Sequence, residues 1–270
     1  MGNIALPHDR RYSVRLGAKL MCIDQSQDIS GAGCACHRPS FGFSRRGFLK
    51  AGAAAGFLGG LALPAFAQDK MPTPNSITPD AALKLLMDGN ARYVANTPHN
   101  KDFSAERAAR AAAQYPIAGL VSCADSRVSP EICFDQGLGD LFVVRLAGNF
   151  VHEDGLASLE YGVKVLGMPL IMVLGHSSCG AVAATIKVMK ENIVLPGHLP
   201  ALVDAIRPAV EIAEKANPTN LLDAAIAENV RYNVEKLKKA TPIVSEFVAN
   251  GEVKVVGAVY DIASGTVTLL

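Results

Sequence analysis

No apolar run in the sequence approaches the ~20 residues that a helix needs to cross a bilayer, so no stable membrane span is expected. An excess of charge of one sign is also missing. The formal net charge is +1, without the basic surplus that nucleic-acid binding requires. Charged residues make up only 19% of the chain against 50% hydrophobic, which excludes bulk disorder and supplies a substantial core. Cysteine is sparse: three of the six (Cys22, Cys34, Cys36) fall within the first 67 residues, and three (Cys123, Cys133, Cys179) lie in the body. An odd number in a body of this length does not make a disulfide framework, so metal binding or burial is expected for them. There is no internal repeat, and no low-complexity tract follows the N-terminal segment.

What is present begins with an asymmetry. Residues 1–67 hold 8 Lys/Arg against 3 Asp/Glu, whereas residues 68–270 hold 18 against 22, a net of −4. Arg45-Arg46-Gly47-Phe48-Leu49-Lys50 precedes an Ala- and Gly-rich apolar stretch from Ala51 to Leu63, and Ala65-Phe66-Ala67 follows. A charged region, a short apolar region and an A-x-A cleavage pattern in that order read as a twin-arginine signal segment over 1–67, with cleavage after Ala67. Recognition by the twin-arginine export machinery and a periplasmic location are therefore expected. Met21 is an alternative start. Cys34-Ala35-Cys36-His37 has metal-ligand residue types but is read as incidental to a discarded segment. Residues 68–78 are rich in Pro, Thr and Asn and read as a linker.

From Thr78 the pattern becomes regular. Thr78-Pro79-Asp80 predicts an N-cap and a first helical turn, with apolar helical spacing to about Tyr93. A second helix is expected over Ser104–Gln114. Short apolar runs at Ile117–Ser122, Asp140–Ala147 and Pro169–Gly175 predict buried strands. Helical spacing separates and follows them at Glu153–Leu166, Gly180–Glu191, Pro200–Ala216, Asn220–Lys239 and Pro242–Asn250. Val253–Asp261 and Thr266–Leu270, flanking Ser264-Gly265, predict a terminal hairpin. The expected fold is α/β, a mostly parallel central sheet flanked by helices, forming a single domain over 79–270.

Two strand ends carry chemistry. The first apolar run leads into Cys123-Ala124-Asp125-Ser126-Arg127, and the third ends in His176-Ser177-Ser178-Cys179. In open α/β sheets, ligands bind beyond the carboxyl ends of the strands. If these strands are neighbours, Cys123, His176 and Cys179 converge as a three-ligand zinc site with an open fourth position, one Zn²⁺ per subunit. A water there has its pKa lowered from ~15.7 toward ~7, giving a zinc-bound hydroxide nucleophile. On an extended loop, Cys123, Asp125 and Arg127 would face one side. Asp125 then either fills the fourth position, closing the site, or pairs with Arg127 and stays off the metal. A Cys123–Cys179 disulfide is the competing use of the two sulfurs.

The two motifs, Cys-x-Asp-Ser-Arg and His-x-x-Cys-Gly, together resemble those of the β-class carbonic anhydrases. The resemblance spans roughly residues 79–270 and takes in Gly89-Asn90-Ala91-Arg92-Tyr93, Phe142-Val143-Val144-Arg145 with Ala147-Gly148-Asn149, and Gly257-Ala258-Val259-Tyr260-Asp261. It implies reversible hydration of CO₂ to bicarbonate and a proton, zinc on Cys123, His176 and Cys179, and an Asp125–Arg127 dyad. It also implies a homodimer or a multiple of dimers, with the cleft at the subunit interface. Gln114, nine residues before Cys123, matches a substrate-binding glutamine of plant-type members. Phe142 and Tyr161 match aromatic pocket positions, and Ala147 replaces a larger aliphatic residue. Other readings keep the fold but hydrolyse a CO₂ analogue such as carbonyl sulfide or carbon disulfide, or leave the zinc non-catalytic.

The remaining polar residues receive plainer assignments. Cys133 is read as a buried thiol, His152 as a surface histidine before a helix, and His99 and His198 as solvated. Arg145 binds substrate or forms an ion pair. Lys236, Lys238 and Lys239 are read as a solvated helix end, where cations suit the helix dipole.

Overall fold

The computed structural model describes residues 77–270, so the twin-arginine segment and all but the end of the expected linker lie outside the described residues. In chain order the elements are α1 (Pro79–Val94), α2 (Phe103–Arg110), β1 (Ala118–Ser122), α3 (Pro130–Cys133), β2 (Leu141–Arg145), α4 (Glu153–Lys164), β3 (Leu170–His176), α5 (Gly180–Glu191), α6 (Leu199–Lys215), α7 (Leu221–Lys238), α8 (Ile243–Ala249), β4 (Lys254–Tyr260) and β5 (Val267–Leu269). The strands form one sheet in the order β2-β1-β3-β4-β5, parallel except for the antiparallel β4–β5 pair. The expected fold class and terminal hairpin are both present.

Local chemistry accounts for most of the boundaries. Thr78 caps α1, its side chain accepting the Ala81 N–H at 3.2 Å. Replacing such a cap with alanine costs about 1 kcal/mol. Helix α2 stops at Arg110, short of the Gln114 expected, and Pro116 holds the residue before it out of helical geometry. The short α3 was not anticipated; a single turn opened by Pro130 leaves too little periodicity to read.

Strands β1 and β3 are buried along their whole length. Their side chains alternate between two layers. Leu120, Met172 and Leu174 pack with Ala82 and Leu86 of α1 and with Phe134 on one face. Val121, Ile171 and Val173 pack with Leu159 and Val163 of α4 and Val230, Val234 and Leu237 of α7 on the other. Each fully buried aliphatic or aromatic side chain contributes roughly 1.5–3 kcal/mol. A third cluster lies around Cys123 and Cys179 and includes Val182 of α5, Ile206 and Val210 of α6, and Ile226 of α7. It is this cluster that seats the metal-ligand types in an apolar wall.

The connections fix where a site can form. From β1 the chain crosses to β2 on one side and then returns to β3 on the other. The crevice beyond β1 and β3 is therefore the switch point at which open α/β sheets bind ligands. Among the described residues, no helix is long and apolar enough to cross a membrane.

Candidate metal centre

Strands β1 and β3 are neighbours, with Ser122 level with Leu174. Cys123 leaves β1 at the same end of the sheet at which His176 closes β3. Ser178, at φ 55, turns the chain so that Cys179 becomes the N-cap residue of α5. The three ligand atoms lie within 4.8 Å of one another, and all three residues are buried. Tetrahedral zinc with ligand bonds of about 2.0–2.3 Å needs its donors roughly 3.5–4 Å apart, which this cluster meets with small adjustments.

The donors are prepared chemically as well as spatially. His176 Nδ1 lies 2.9 Å from the Ser177 carbonyl and donates its proton there, which leaves the Nε2 lone pair unprotonated. That Nε2 is buried and, among the described residues, has no hydrogen-bond partner. A buried orphan nitrogen of this kind is what a metal ion satisfies. Burial pulls the imidazole pKa down, but the neighbouring Cys123 sulfur, the Ser177 carbonyl and the Asp125 charge outweigh it and raise it.

Cys123 and Cys179 are free thiols rather than a disulfide. The Cys179 thiol beside it lowers the pKa of Cys123, and Cys179 is itself pushed up by the Cys123 thiolate and by burial. A bound cation would displace thiol protons from the pair. The N–H groups of Ala181 and Val182, in the first turn of α5, face the Cys179 sulfur. The positive end of that helix favours a thiolate there.

Asp125 and Arg127 form the expected bidentate pair, but by a different geometry. The loop is not extended: the Val128 N–H bonds to the Asp125 carbonyl at 3.0 Å, closing a turn. Within it Asp125 Oδ1 accepts the Arg127 backbone N–H and Nε, both at 2.9 Å, while Oδ2 accepts Nη2 at 2.7 Å. Of about four acceptor sites on a carboxylate, three are taken. Oδ2 also lies 3.9 Å from His176 Nε2, so the remaining site looks toward the metal cluster. The Arg127 guanidinium holds the carboxyl well below the usual carboxylate range.

Arg145, expected to bind substrate or form an ion pair, has a third role in the structure. Its Nε donates to the Cys123 carbonyl at 3.0 Å and its Nη2 to the Asp125 carbonyl at 2.8 Å. It therefore staples the metal loop to β2. An arginine ending an apolar edge strand was the available signal, but carbonyl partners cannot be read from side-chain patterns. His152 caps α4, accepting the Gly155 N–H at 3.2 Å, and Cys133 is buried as expected.

The four residues assigned to the substrate pocket separate. Ala147 adjoins Gly148, whose N–H reaches Cys123 Sγ at 3.3 Å, so it stands beside the cluster. Phe142 is level with Gly119, four residues before Cys123, or about 13 Å back along the strand. Tyr161 lies on α4 and is 48% exposed, and Gln114 is exposed before β1. Within the chain these three do not gather around Cys123, His176 and Cys179.

A parallel α/β sheet with a buried Cys–His–Cys group at its switch point, and a carboxylate held beside it by arginine, defines a class of α/β protein equipped to hold a metal ion. The carbonic anhydrase family model matches residues 118–267. A Mycolicibacterium smegmatis carbonic anhydrase is 43% identical over 197 residues, 73% of this chain and 95% of that protein. Carbonic anhydrase 2 of Mycobacterium tuberculosis is 40% identical over 200 residues, 74% of this chain and 95% of its own. The solved Coccomyxa β-carbonic anhydrase, in complex with acetazolamide, is 31% identical with a TM-score of 0.55, covering 62% of this chain and 77% of that one. The chain belongs to the carbonic anhydrase family, in its β class.

Proposed function

We propose that the chain catalyses the reversible hydration of CO₂ to bicarbonate and a proton, as a zinc enzyme with one Zn²⁺ per subunit. The observation that carries this reading is the convergence of Cys123, His176 and Cys179 beside an Asp125 carboxylate tied down by Arg127. Two thiolates and an imidazole would hold the ion, and their softness and charge suit zinc. Zinc, when bound, supplies a water acidic enough to be deprotonated near neutral pH.

The chain's own groups do the rest. Arg127 keeps Asp125 ionised and occupies three of its acceptor sites, which holds it off the metal. The free site on Asp125 Oδ2 accepts the O–H of the nucleophile and so turns an oxygen lone pair toward the carbon of CO₂. With zinc in place, addition of that oxygen to the carbon, one C=O π pair moving onto oxygen, would give bicarbonate, the proton lost by the water passing to solvent. Ala147 supplies a small apolar wall for an apolar substrate.

Gln114, Phe142 and Tyr161 fit a pocket completed by a second copy of the chain, so the active unit is read as a homodimer or a multiple of one. Supporting this, β2 is an edge strand whose Leu141–Val144 run is only half-buried, and such apolar edges are ordinarily covered. The N-terminal segment is read as a twin-arginine leader that sends the enzyme to the periplasm; Arg45-Arg46 ahead of an apolar stretch and Ala65-Phe66-Ala67 support it. N-terminal sequencing of the exported protein should begin at Gln68. Stopped-flow CO₂ hydration by the zinc-loaded protein between about pH 7 and 9 tests the activity; a rate no greater than buffer would contradict it.

A further inference from the structure

The lysines at the end of α7 were expected to be solvated, but Lys236 is part of a polar stripe on a helix that otherwise packs against the core. Asn229 and Asn233 are 0% and 1% exposed, and with Lys236 they stand at positions i, i+4 and i+7 of α7. All three turn to one short segment. Asn229 Nδ2 donates to the Gly148 carbonyl at 2.8 Å. Asn233 Oδ1 accepts the Val151 N–H at 2.8 Å, while its Nδ2 donates to the Asn229 carbonyl at 2.8 Å. Lys236 Nζ donates to the Val151 carbonyl at 2.6 Å.

The segment so held is conformationally demanding. Gly148 and Asn149 have φ values of +87 and 41, in the left-handed region. A Cβ on Gly148 would stand 2.5 Å from Ile206 Cδ1, so the loop is pressed against α6. From this position the Gly148 N–H reaches Cys123 Sγ at 3.3 Å. Gly148 is thus fixed on both sides, by its carbonyl on Asn229 and its N–H on the sulfur. Helix α7 comes this near because Gly175 of β3 lacks a Cβ, which would lie 2.6 Å from Val230 Cγ2, next in sequence to Asn229.

We infer that Asn229, supported by Asn233 and Lys236, is a positioning residue of the metal centre: it fixes the Gly148 N–H on the Cys123 sulfur and so sets how strongly that thiolate donates to the metal. This rests on the reading of Cys123, His176 and Cys179 as metal ligands. A hydrogen bond to a thiolate draws electron density from sulfur, and outer contacts of this kind change metal affinity or activity by about 10- to 100-fold.

Cobalt(II) loaded into the full chain in place of zinc provides the readout, because its thiolate-to-metal charge-transfer absorption reports the donor strength of sulfur. Asn229→Leu removes the amide and keeps the branched outline of the side chain. Its band should move to longer wavelength, as expected of a sulfur that donates more strongly. Asn90→Leu is the control. Asn90 is also a buried amide, donating to the Cys133 and Gly265 carbonyls and accepting the Val267 N–H, and among the described residues these bonds do not involve the Gly148–Val151 segment. It should lower Tm and leave the band in place. Lys236→Met, on the exposed side of the stripe, should shift the band in the same direction by less, and decides the matter where Asn229→Leu does not fold. An unmoved band in Asn229→Leu, or in Lys236→Met where that variant is needed, overturns the inference, as does an equal shift in Asn90→Leu. A parent chain with no thiolate-to-cobalt band would instead overturn the ligand reading beneath it.

Discussion

Asp125 and Asp135 stand ten residues apart in sequence and are built from similar parts. Each is a carboxylate bound to cationic side chains and a backbone N–H. Asp135 accepts Arg92 Nε at 2.6 Å, the His99 N–H at 3.1 Å and the Lys101 ammonium, and its side chain is 1% exposed. Asp125 has one arginine, which is itself half exposed, and keeps an acceptor site toward His176 Nε2. Asp135 ties α1 and the loop after it to the residues following α3. Asp125 is left one bond short beside a group of metal-ligand donors. Position and residual capacity, not residue type, separate a structural ion cluster from a reactive one.

The largest way to sharpen this contrast is to remove a donor. Cys179→Ser should lose most of the bound zinc and cut CO₂ hydration at least a thousandfold, with the fold retained by circular dichroism. Parent-level zinc content would refute the ligand set.

Asp135→Asn should do the reverse. It leaves Arg92 and Lys101 without their buried anion and should cost about 3 kcal/mol in urea unfolding, with the rate per folded, zinc-loaded molecule little changed. The pH dependence follows from the direction of its pKa. Burial works against the ionised form, but Lys101, Arg92 and the His99 N–H together hold Asp135 well below the usual carboxylate range. Its folded pKa lies below the unfolded value near ~4, so its stabilisation is complete above that pH and is lost as pH falls further. The stability gap between parent and Asp135→Asn should therefore close on acidification below about pH 4. A gap constant with pH would show that its charge does not matter.

Arg145→Gln should give the smallest effect. Losing donors to the Cys123 and Asp125 carbonyls should lower the rate by about tenfold with zinc retained. An unchanged rate would mean that the turn at Asp125 holds itself.

Much of this was legible in the chain. Fully buried strands announce themselves as apolar runs, and β1 and β3 end where Cys123 and His176 were expected to leave the sheet. Helix α5 runs from Gly180 to Glu191, as its spacing predicts. The ligand types survived the reading because cysteine and histidine at strand ends are chemically distinctive. The turn at Asp125–Val128 was missed because period-two alternation was carried past the last paired residue, where nothing enforces it. Asn229 and Asn233 were invisible because asparagine on an amphipathic helix reads as solvent-facing, and their partners are backbone atoms some eighty residues away. Gln114, Phe142 and Tyr161 were grouped by resemblance.

The central claim is that Asp125 acts on the nucleophile and not as a permanent ligand. It is tested most directly by measuring zinc content and stopped-flow CO₂ hydration on the same preparation of Asp125→Asn. The account predicts zinc at the parent level with hydration reduced by about 10²–10⁴-fold. Hydration at the parent rate, or zinc lost together with the activity, would contradict it.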